Sequence, residues 1–415
     1  MRRTPSPTWR WLRRADAATH RWLVLVLGLL VLVETTSGSI LLYQQQLGLI
    51  YQNYSWTSPS HTATPSKHPM SLANSASIIL NYHPKFDPLL AIVDSKGLYE
   101  VSGPARDYSY VVDPGTGHII GTTTLHQTRV LTFLSNLHAC GLSCKGRPGY
   151  IGILDYNIPR VNLPVGRVLL GIAAFALLYL CISGLISLRS GKKGVLNSLA
   201  IRRASSRYRR NRDLHRIVGF VAVPFLLLWA LTGAADEFSF VSKTGYTLEG
   251  RHPPGRSYPI STEIGAPRIS SRTAAQSALR ATNGGRIVGY RGPVGSEGTY
   301  RFYVIKGVDL WKYHPQEGDR WDIAVSVDQY NADHTWITYS APTNTPAGVL
   351  FGGWGNALHT GDAVNPIMRS VFFAAGMTPL VSAITGGTSW TIRRKRRKAT
   401  GRGRGSAQHV DRSGW

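Results

Sequence analysis

Four long apolar runs stand out along the chain, each bordered by polar or basic residues. They cover about Trp22–Tyr43, Val165–Leu188, Ile217–Ala235 and Ile367–Thr388. Because roughly 20 apolar residues in a helix cross ~30 Å of hydrocarbon, each run is long enough to span a membrane. The first run is too long for a cleavable signal peptide and lacks a small-x-small cleavage site. The pattern therefore predicts four transmembrane helices, at 22–43, 165–188, 217–235 and 367–388.

The two long segments between these runs, 44–164 and 236–366, alternate polar and apolar positions in a different way. In each, a short amphipathic helix precedes several β-type runs. The first segment predicts a helix over 71–83 and strands at 91–94, 98–102 and 108–113; the second predicts a helix over 271–281 and strands at 285–291, 299–305 and 321–328. The Asp113-Pro-Gly-Thr-Gly117 stretch is typical of a hairpin turn. Each segment is predicted to fold as a small α+β module of helix and antiparallel sheet.

The net charge of +25 first suggests a nucleic-acid partner, so the position of the charge matters. Residues 1–21, 188–216 and 388–415 hold 25 of the 47 Lys and Arg and three acidic residues. Each of these segments directly adjoins an apolar run, which is the positive-inside pattern of a membrane protein. The pattern argues against nucleic-acid binding. It predicts a basic N-terminus (1–21), loop (189–216) and tail (389–415) in the cytoplasm, with 44–164 and 236–366 outside.

The chain repeats one unit twice, and such repetition strongly constrains architecture. His20 opens the first apolar run and Gly38 lies 18 residues later, while His215 and Gly233 have the same spacing in the third run. Each outer segment ends in a Leu-His pair that leads to a helix with an arginine 16 residues before a closing Ser or Thr. These are Leu137-His138 with Arg167 and Ser183, and Leu358-His359 with Arg369 and Thr385. The predicted fold is thus an internally duplicated four-helix transmembrane bundle with two α+β modules.

If the two copies pack about a pseudo-twofold axis, His20 faces His215 and His138 faces His359. Facing helices build cofactor sites of this kind in bundles, and neutral imidazole is a good ligand for haem iron. Arginines near each site, such as Arg167 and Arg369, are candidate partners for haem propionates. Zinc is the weaker alternative, because no Cys or carboxylate cluster accompanies the histidines. The sequence also lacks a nucleotide-binding glycine loop and a nucleophile elbow.

Three further residues attract attention. Glu34 lies inside the first apolar run, where an ionisable side chain suggests either a function or a hydrogen-bonded group near the interface. Cys140 and Cys144 lie on the predicted outer side, where a local disulfide is permitted. Whether these two cysteines pair stays open at this point.

The order of the motifs resembles the PepSY-associated transmembrane family over about Arg13 to Arg394. The resemblance rests on Leu-His before a helix, on His-Arg opening a helix that closes in Thr-Gly, and on the Asp-Pro-x-Thr-Gly stretch. It implies a multi-pass protein of the bacterial inner membrane with PepSY-like modules and two b-type haems. It also implies electron transfer to ferric siderophores outside, with both termini in the cytoplasm. Carried over by position, the haem ligands are His20, His138, His215 and His359.

The favoured hypothesis is thus a haem-dependent ferric-siderophore reductase, with a lipid bilayer around it and a cytoplasmic or quinol electron donor. One alternative is a non-redox binding or regulatory protein, in which the histidines anchor helices. Another is a component of an iron or haem transporter, although Glu34 and Arg167 supply little polarity for a path across the membrane.

Overall fold

The computed structural model describes residues 7–44, 47, 62–86, 88–93, 97–103, 108–124, 129–187, 206–253, 259–262, 267–305, 323–340, 345–361 and 364–410. Several predicted features lie partly outside these residues. They are the basic loop from 189 to 205, the chain ends at 1–6 and 411–415, and the first two residues of the strand predicted at 321–328.

The described elements follow one another as two similar series. The first comprises α1 (Pro7–Leu41), α2 (Leu72–Tyr82), β1 (Leu90–Val93), β2 (Tyr99–Ser102), β3 (Tyr108–Val112), β4 (Ile119–Thr124), α3 (Arg129–Cys140), a 3₁₀ helix (Gly152–Asp155), β5 (Asn157–Ile158), β6 (Leu163–Pro164) and α4 (Val165–Ile186). The second comprises α5 (Arg207–Glu237), α6 (Ser239–Leu248), α7 (Ser271–Ala281), β7 (Arg286–Arg291), β8 (Thr299–Ile305), β9 (Ile323–Asp328), β10 (Thr335–Ser340), α8 (Pro346–Phe351), α9 (Gly353–His359), α10 (Pro366–Gly376) and α11 (Thr378–Val410).

Among the described residues, four stretches of helix are long and apolar enough to cross a membrane: Trp11–Leu41, Val165–Ile186, Arg207–Glu237 and Pro366–Lys395. They match the four predicted apolar runs except that the first two end two residues earlier than predicted, and α1 and α5 begin about ten or more residues earlier. Arginine is a good helix former, so the helices continue through the basic segments. The fourth span also differs from the prediction because it is divided at Met377. Pro379 begins a new helix there, since proline fits the first turn of a helix but not its interior.

Eight of the described strands form one antiparallel sheet in the order β10-β9-β8-β7-β1-β2-β3-β4, while β5 and β6 pair only with each other. The sequence predicted two modules, and in the structure strands from the two predicted modules are joined edge to edge. Strand β1 pairs with β7, so that Ala91 lies opposite Tyr290. This β1–β7 seam makes a single sheet from strands of both halves of the chain.

Helices α2 and α7 cover one face of this sheet. The core between them is built from small helix residues, such as Ala76, Ala274 and Ala278, and from larger strand residues, such as Phe302 and Val325. Alternating strand positions supply these side chains, as the pleat requires. The sheet and its two helices therefore form one domain at one end of the bundle.

The bundle itself packs α4 against α5, α5 against α11 and α1 against α4. Its buried contacts are rich in alanine, including Ala173, Ala176, Ala222 and Ala230. Small residues let membrane helices approach closely, which brings side chains on neighbouring helices within hydrogen-bonding distance. This close approach positions the histidines.

Candidate functional site

Two pairs of histidines lie at opposite ends of the bundle. We call His138 and His359 the sheet-side pair, because α3 and α9 carry them between the sheet and the next membrane helix. His20 on α1 and His215 on α5 form the basic-side pair, since arginines flank both. The 18 residues from His20 to Gly38, which packs against His138, correspond to about 27 Å of helix.

The structure brings the two residues of the sheet-side pair together. The ring centres of His138 and His359 are 6.0 Å apart, with 40° between the ring planes. On the basic side, each histidine contacts a hydroxyl on a neighbouring membrane helix, Ser183 for His20 and Thr385 for His215. The predicted pairing is therefore seen directly at the sheet-side end.

Each histidine contacts the hydroxyl of a Ser-Gly or Thr-Gly pair on another helix. Nδ1 of His138 lies 3.4 Å from Oγ of Ser37, and Nδ1 of His359 lies 2.8 Å from Oγ1 of Thr232. On the basic side, the same nitrogen lies 3.2 Å from Oγ of Ser183 for His20 and 3.4 Å from Oγ1 of Thr385 for His215. At Gly38, which follows Ser37, the missing side chain leaves room for the imidazole of His138.

The partners show which nitrogen carries the proton in three of the four rings. Nδ1 of His138 lies 3.1 Å from the carbonyl oxygen of Glu34, and Nδ1 of His215 lies 3.1 Å from that of Ser382. Carbonyl oxygens only accept, so Nδ1–H must donate. The Thr232 hydroxyl gives its hydrogen to the Leu228 carbonyl at 2.8 Å, so it accepts from Nδ1–H of His359.

In these three rings Nε2 is the nitrogen with a free lone pair. Among the described residues, every hydrogen bond to the four imidazoles is made through Nδ1. Burial, followed by the neighbouring His138, lowers the pKa of His359 to about 3, so that ring is neutral at physiological pH. Neutral imidazole with a hydrogen-bonded Nδ1–H is the form that ligates metals.

Glu34 lies at the sheet-side pair. Its carboxylate Oε2 is 3.1 Å from Nδ1 of His138, in addition to the contact made by its carbonyl oxygen. Trp229 occupies the corresponding position in the second half and donates Nε1–H to the carbonyl of His359 at 3.0 Å. Both residues thus hold a histidine of the sheet-side pair, by different atoms.

The two arginines proposed as propionate partners have protein partners. Arg167 binds the Glu237 carboxylate at 2.8 Å and donates to the Asp236 carbonyl at 3.1 Å. Arg369 is buried and donates to the Gly361 carbonyl at 3.3 Å. Within the described residues, both guanidinium groups therefore support the bundle.

Cys140 and Cys144 form a disulfide directly after His138, which settles the question left open by the sequence. Asn136 is fully buried and braces the same loop by donating to the Pro148 carbonyl and accepting from the Cys144 amide. Cys181 is buried and free. No cluster of three or more His, Cys, Asp or Glu that could hold a metal ion occurs among the residues searched, 7–410 with the gaps given above.

Sequence reasoning found all four histidines but missed their hydroxyl partners as functional groups. The signal was present, because Ser183 and Thr385 close two of the repeated helices, and Ser37 and Thr232 directly precede the glycines Gly38 and Gly233 that close the other two. Spacing alone did not indicate that each of these hydroxyls lies against a histidine on another helix.

Comparison with known protein families adds an independent observation. The family described as the PepSY-associated TM region matches residues 17–393, which is most of the chain and includes all four histidines. A comparison with curated proteins finds no match. The chain therefore belongs to the PepSY-associated TM region family and is a membrane protein with several apolar helices.

Proposed function

We propose that this protein is a di-haem oxidoreductase that moves electrons across the bacterial inner membrane and reduces ferric siderophores on the outer side. The observation that carries the proposal is how the four imidazoles are hydrogen-bonded. All four are held through Nδ1 by partners on other elements, and the rings of His138 and His359 lie 6.0 Å apart. A histidine that merely anchored a helix would not need its second nitrogen kept free of protein partners.

The sheet-side pair fits a metal between its two rings. Two metal–nitrogen bonds of about 2 Å each, together with the radii of two imidazole rings, amount to about 6 Å. The ring centres of His138 and His359 are 6.0 Å apart. A b-type haem needs no covalent attachment, and the sequence has no Cys-x-x-Cys-His motif for one. His138 and His359 would hold one haem, and His20 and His215 the other.

Corresponding hydrogen bonds support an origin by internal duplication, with two PepSY-like modules. Tyr99 donates to the Met70 carbonyl at 2.7 Å, and Tyr300 donates to the Ile269 carbonyl at the same distance. Both tyrosines lie on the second strand of their module, and both carbonyls precede the module helix by two residues. Two PepSY-like modules related in this way would place the two members of each histidine pair in equivalent surroundings.

The distribution of charge supports the orientation. Arginines flank His20 and His215, so the positive-inside rule puts the basic-side pair and both termini toward the cytoplasm. The sheet and the sheet-side pair then lie outside. About 27 Å of helix separates the ends, and each end holds one histidine pair, as an electron relay from a cytoplasmic or quinol donor requires.

Haem iron at these sites would supply one-electron transfer between its ferric and ferrous states. The four histidines would bind the iron through Nε2. The Glu34 and Ser382 carbonyls and the Thr232 hydroxyl would keep three of the rings in the Nδ1–H tautomer. The ferric iron of the substrate gains one electron and becomes ferrous. Hard oxygen donors hold ferrous iron far less tightly, so the chelate releases it.

The first prediction is that the purified full-length chain binds close to two non-covalent haems. His215→Ala should remove one haem and His359→Ala the other, because each variant deletes an axial nitrogen of a different pair. Haem per chain, measured from absorbance after extraction, checks this. His118→Ala is the matched control, since this exposed histidine belongs to neither pair and should leave the haem content unchanged.

Reoxidation of the chemically reduced protein tests the substrate. Ferric hydroxamates should oxidise both haems. A folded, colourless protein from haem-replete cells would instead favour the non-redox binding hypothesis. Movement of iron into sealed vesicles would favour a transporter. Rapid oxidation by a quinone, with every ferric chelate inert, would leave the electron carrier and remove the siderophore.

A further inference from the structure

The two histidines of the sheet-side pair differ in the charge of their Nδ1 partners. Nδ1–H of His138 points at Glu34, whose carbonyl oxygen and carboxylate Oε2 each lie 3.1 Å away. Nδ1–H of His359 points at the neutral Thr232 hydroxyl, 2.8 Å away. The pair is therefore symmetric in its imidazoles and asymmetric in what holds them.

Among the described residues, His138 is the only hydrogen-bonding or ion-pair partner of the Glu34 carboxylate. Its other oxygen, Oε1, is buried without a hydrogen-bond partner, and no described arginine or lysine pairs with it. The Glu237 carboxylate at the same end of the bundle is different, because Arg167 binds it at 2.8 Å. A carboxylate at membrane depth without a basic partner is costly, which implies a specific use for Glu34.

An acceptor of this kind alters the ligand that it holds. A carboxylate that accepts a hydrogen bond from Nδ1–H increases the electron density on the imidazole. The Nε2 atom then donates its lone pair more strongly to a bound metal. A stronger donor, with a negative charge nearby, stabilises ferric iron relative to ferrous iron. The electrostatic effect is large in a site shielded from water, where the effective dielectric constant is low.

We propose that Glu34 is a positioning residue that fixes the Nδ1–H tautomer of His138 and lowers the reduction potential of the sheet-side haem. This inference rests on the proposed function. The haem site nearest the ferric chelate would then be strongly reducing, although the residues that hold the haem are ordinary histidines. Ferric iron held by hard oxygen donors requires such a reductant, because those donors strongly favour the ferric state.

The experiment measures the midpoint potential of the sheet-side haem by itself. In a His215→Ala background the basic-side haem is absent, and the remaining haem is titrated by absorbance. Adding Glu34→Gln should shift its reduction equilibrium at least tenfold toward the ferrous form, which is about 59 mV for a one-electron couple. The low-spin electron paramagnetic resonance signal should shift as well, because the axial field of His138 weakens.

Glu237→Gln in the same background is the matched control. It removes a carboxylate at the same end of the bundle, but one that Arg167 rather than a histidine engages. A shift for Glu34→Gln that does not exceed the shift for Glu237→Gln would overturn the inference, as would a shift toward the ferric form. If Glu34→Gln loses the haem, Glu34→Asp must restore binding, and a failure to do so overturns the role of the carboxylate.

These results are distinguishable from a failure of the proposed function. If the unmodified chain binds no haem, the di-haem assignment fails before Glu34 is tested. If it binds two haems and the Glu34 variants leave the sheet-side potential unchanged, the di-haem assignment stands and the role of Glu34 is refuted.

Discussion

At the scale of single residues, one glycine determines how closely a histidine approaches its neighbouring helix. The closest contact is at Gly38, where an added Cβ would lie 2.6 Å from Cε1 of His138. At Gly184, which follows the hydroxyl partner of His20, an added Cβ would meet no atom within 4 Å. The sheet-side site is thus more tightly constrained on α1 than the basic-side site is on α4.

Gly38→Ala should therefore displace His138 and reduce the content of the sheet-side haem. Gly184→Ala should retain both haems, and the alanine should favour its helix by up to about 1 kcal/mol. Haem per chain and the thermal unfolding midpoint of the two variants, measured in the same detergent, check this pair. Equal haem loss in both variants would show that the contact at Gly38 is not what positions His138.

The four candidate histidines could be predicted from the sequence, whereas their hydrogen-bond partners could not. The repeat predicted the four histidines because each occupies the same place in its copy. Glu34 was conspicuous as an ionisable residue at membrane depth, but its partner His138 lies 104 residues away in the chain. Long-range contacts of this kind depend on which helix faces lie together, and hydrophobic spacing does not encode that.

At the scale of elements, the turn after β3 joins two distant segments through one carboxylate. Asp113 accepts from the Thr64 and Gly115 amides at 3.1 Å and 2.8 Å, and from the Thr64 hydroxyl. Burial alone would raise the pKa of Asp113, but these bonds, with one from Thr116, hold it below its ordinary value. The segment that precedes α2 is thereby fixed to the β3–β4 turn.

A depressed pKa makes this bond dependent on pH. The folded protein gains stability from ionised Asp113 above the unfolded pKa of about 3.9, and loses it as the pH falls through the lower folded value. Asp113→Ala should destabilise the sheet domain by roughly 1 kcal/mol at pH 7, because the Thr64 and Gly115 amides lose their acceptor. The difference from the unmodified chain should shrink below about pH 4. Unfolding of both proteins at pH 7 and at lower pH checks the sign, and a difference that grows on acidification would contradict it.

The elements themselves were largely predictable. The helix over Ser271–Ala281 and the strand over Thr299–Ile305 have the predicted bounds, since alternation and capping residues mark both ends. The ends of the membrane helices were not predictable, because the arginine-rich segments continue the helix although they lack a periodic pattern of apolar residues. The break at Met377 could have been read from Pro379, but the surrounding apolar run obscured it.

At the scale of the whole molecule, the arrangement of basic segments determines the orientation. A reporter inserted at Gly191 should read cytoplasmic and one inserted near Pro65 should read external, because only the former lies among arginines and lysines. Paired reporter fusions measure this orientation, because one reporter is active only in the cytoplasm and the other only outside. An external signal at Gly191 would reverse the assignment of both histidine pairs to their membrane faces.

The joined sheet was the feature furthest from prediction. Each module has its own helix and its own alternating strands, so nothing local distinguishes two separate sheets from one. The pairing of Ala91 with Tyr290 depends on how the two halves of the bundle bring their modules together. The packing of the membrane helices determines how the two modules come together.

The β1–β7 seam also has a consequence for the time course of synthesis. Strand β1 (Leu90–Val93) contains no charged residue, and its partner β7 begins at Arg286, about 190 residues later. At 5–20 residues per second, about 10–40 s pass before that partner is made. During this interval an apolar strand edge faces solvent, and such an edge readily pairs with other chains. The first half of the chain is thus most prone to mispairing at this edge until β7 has been made.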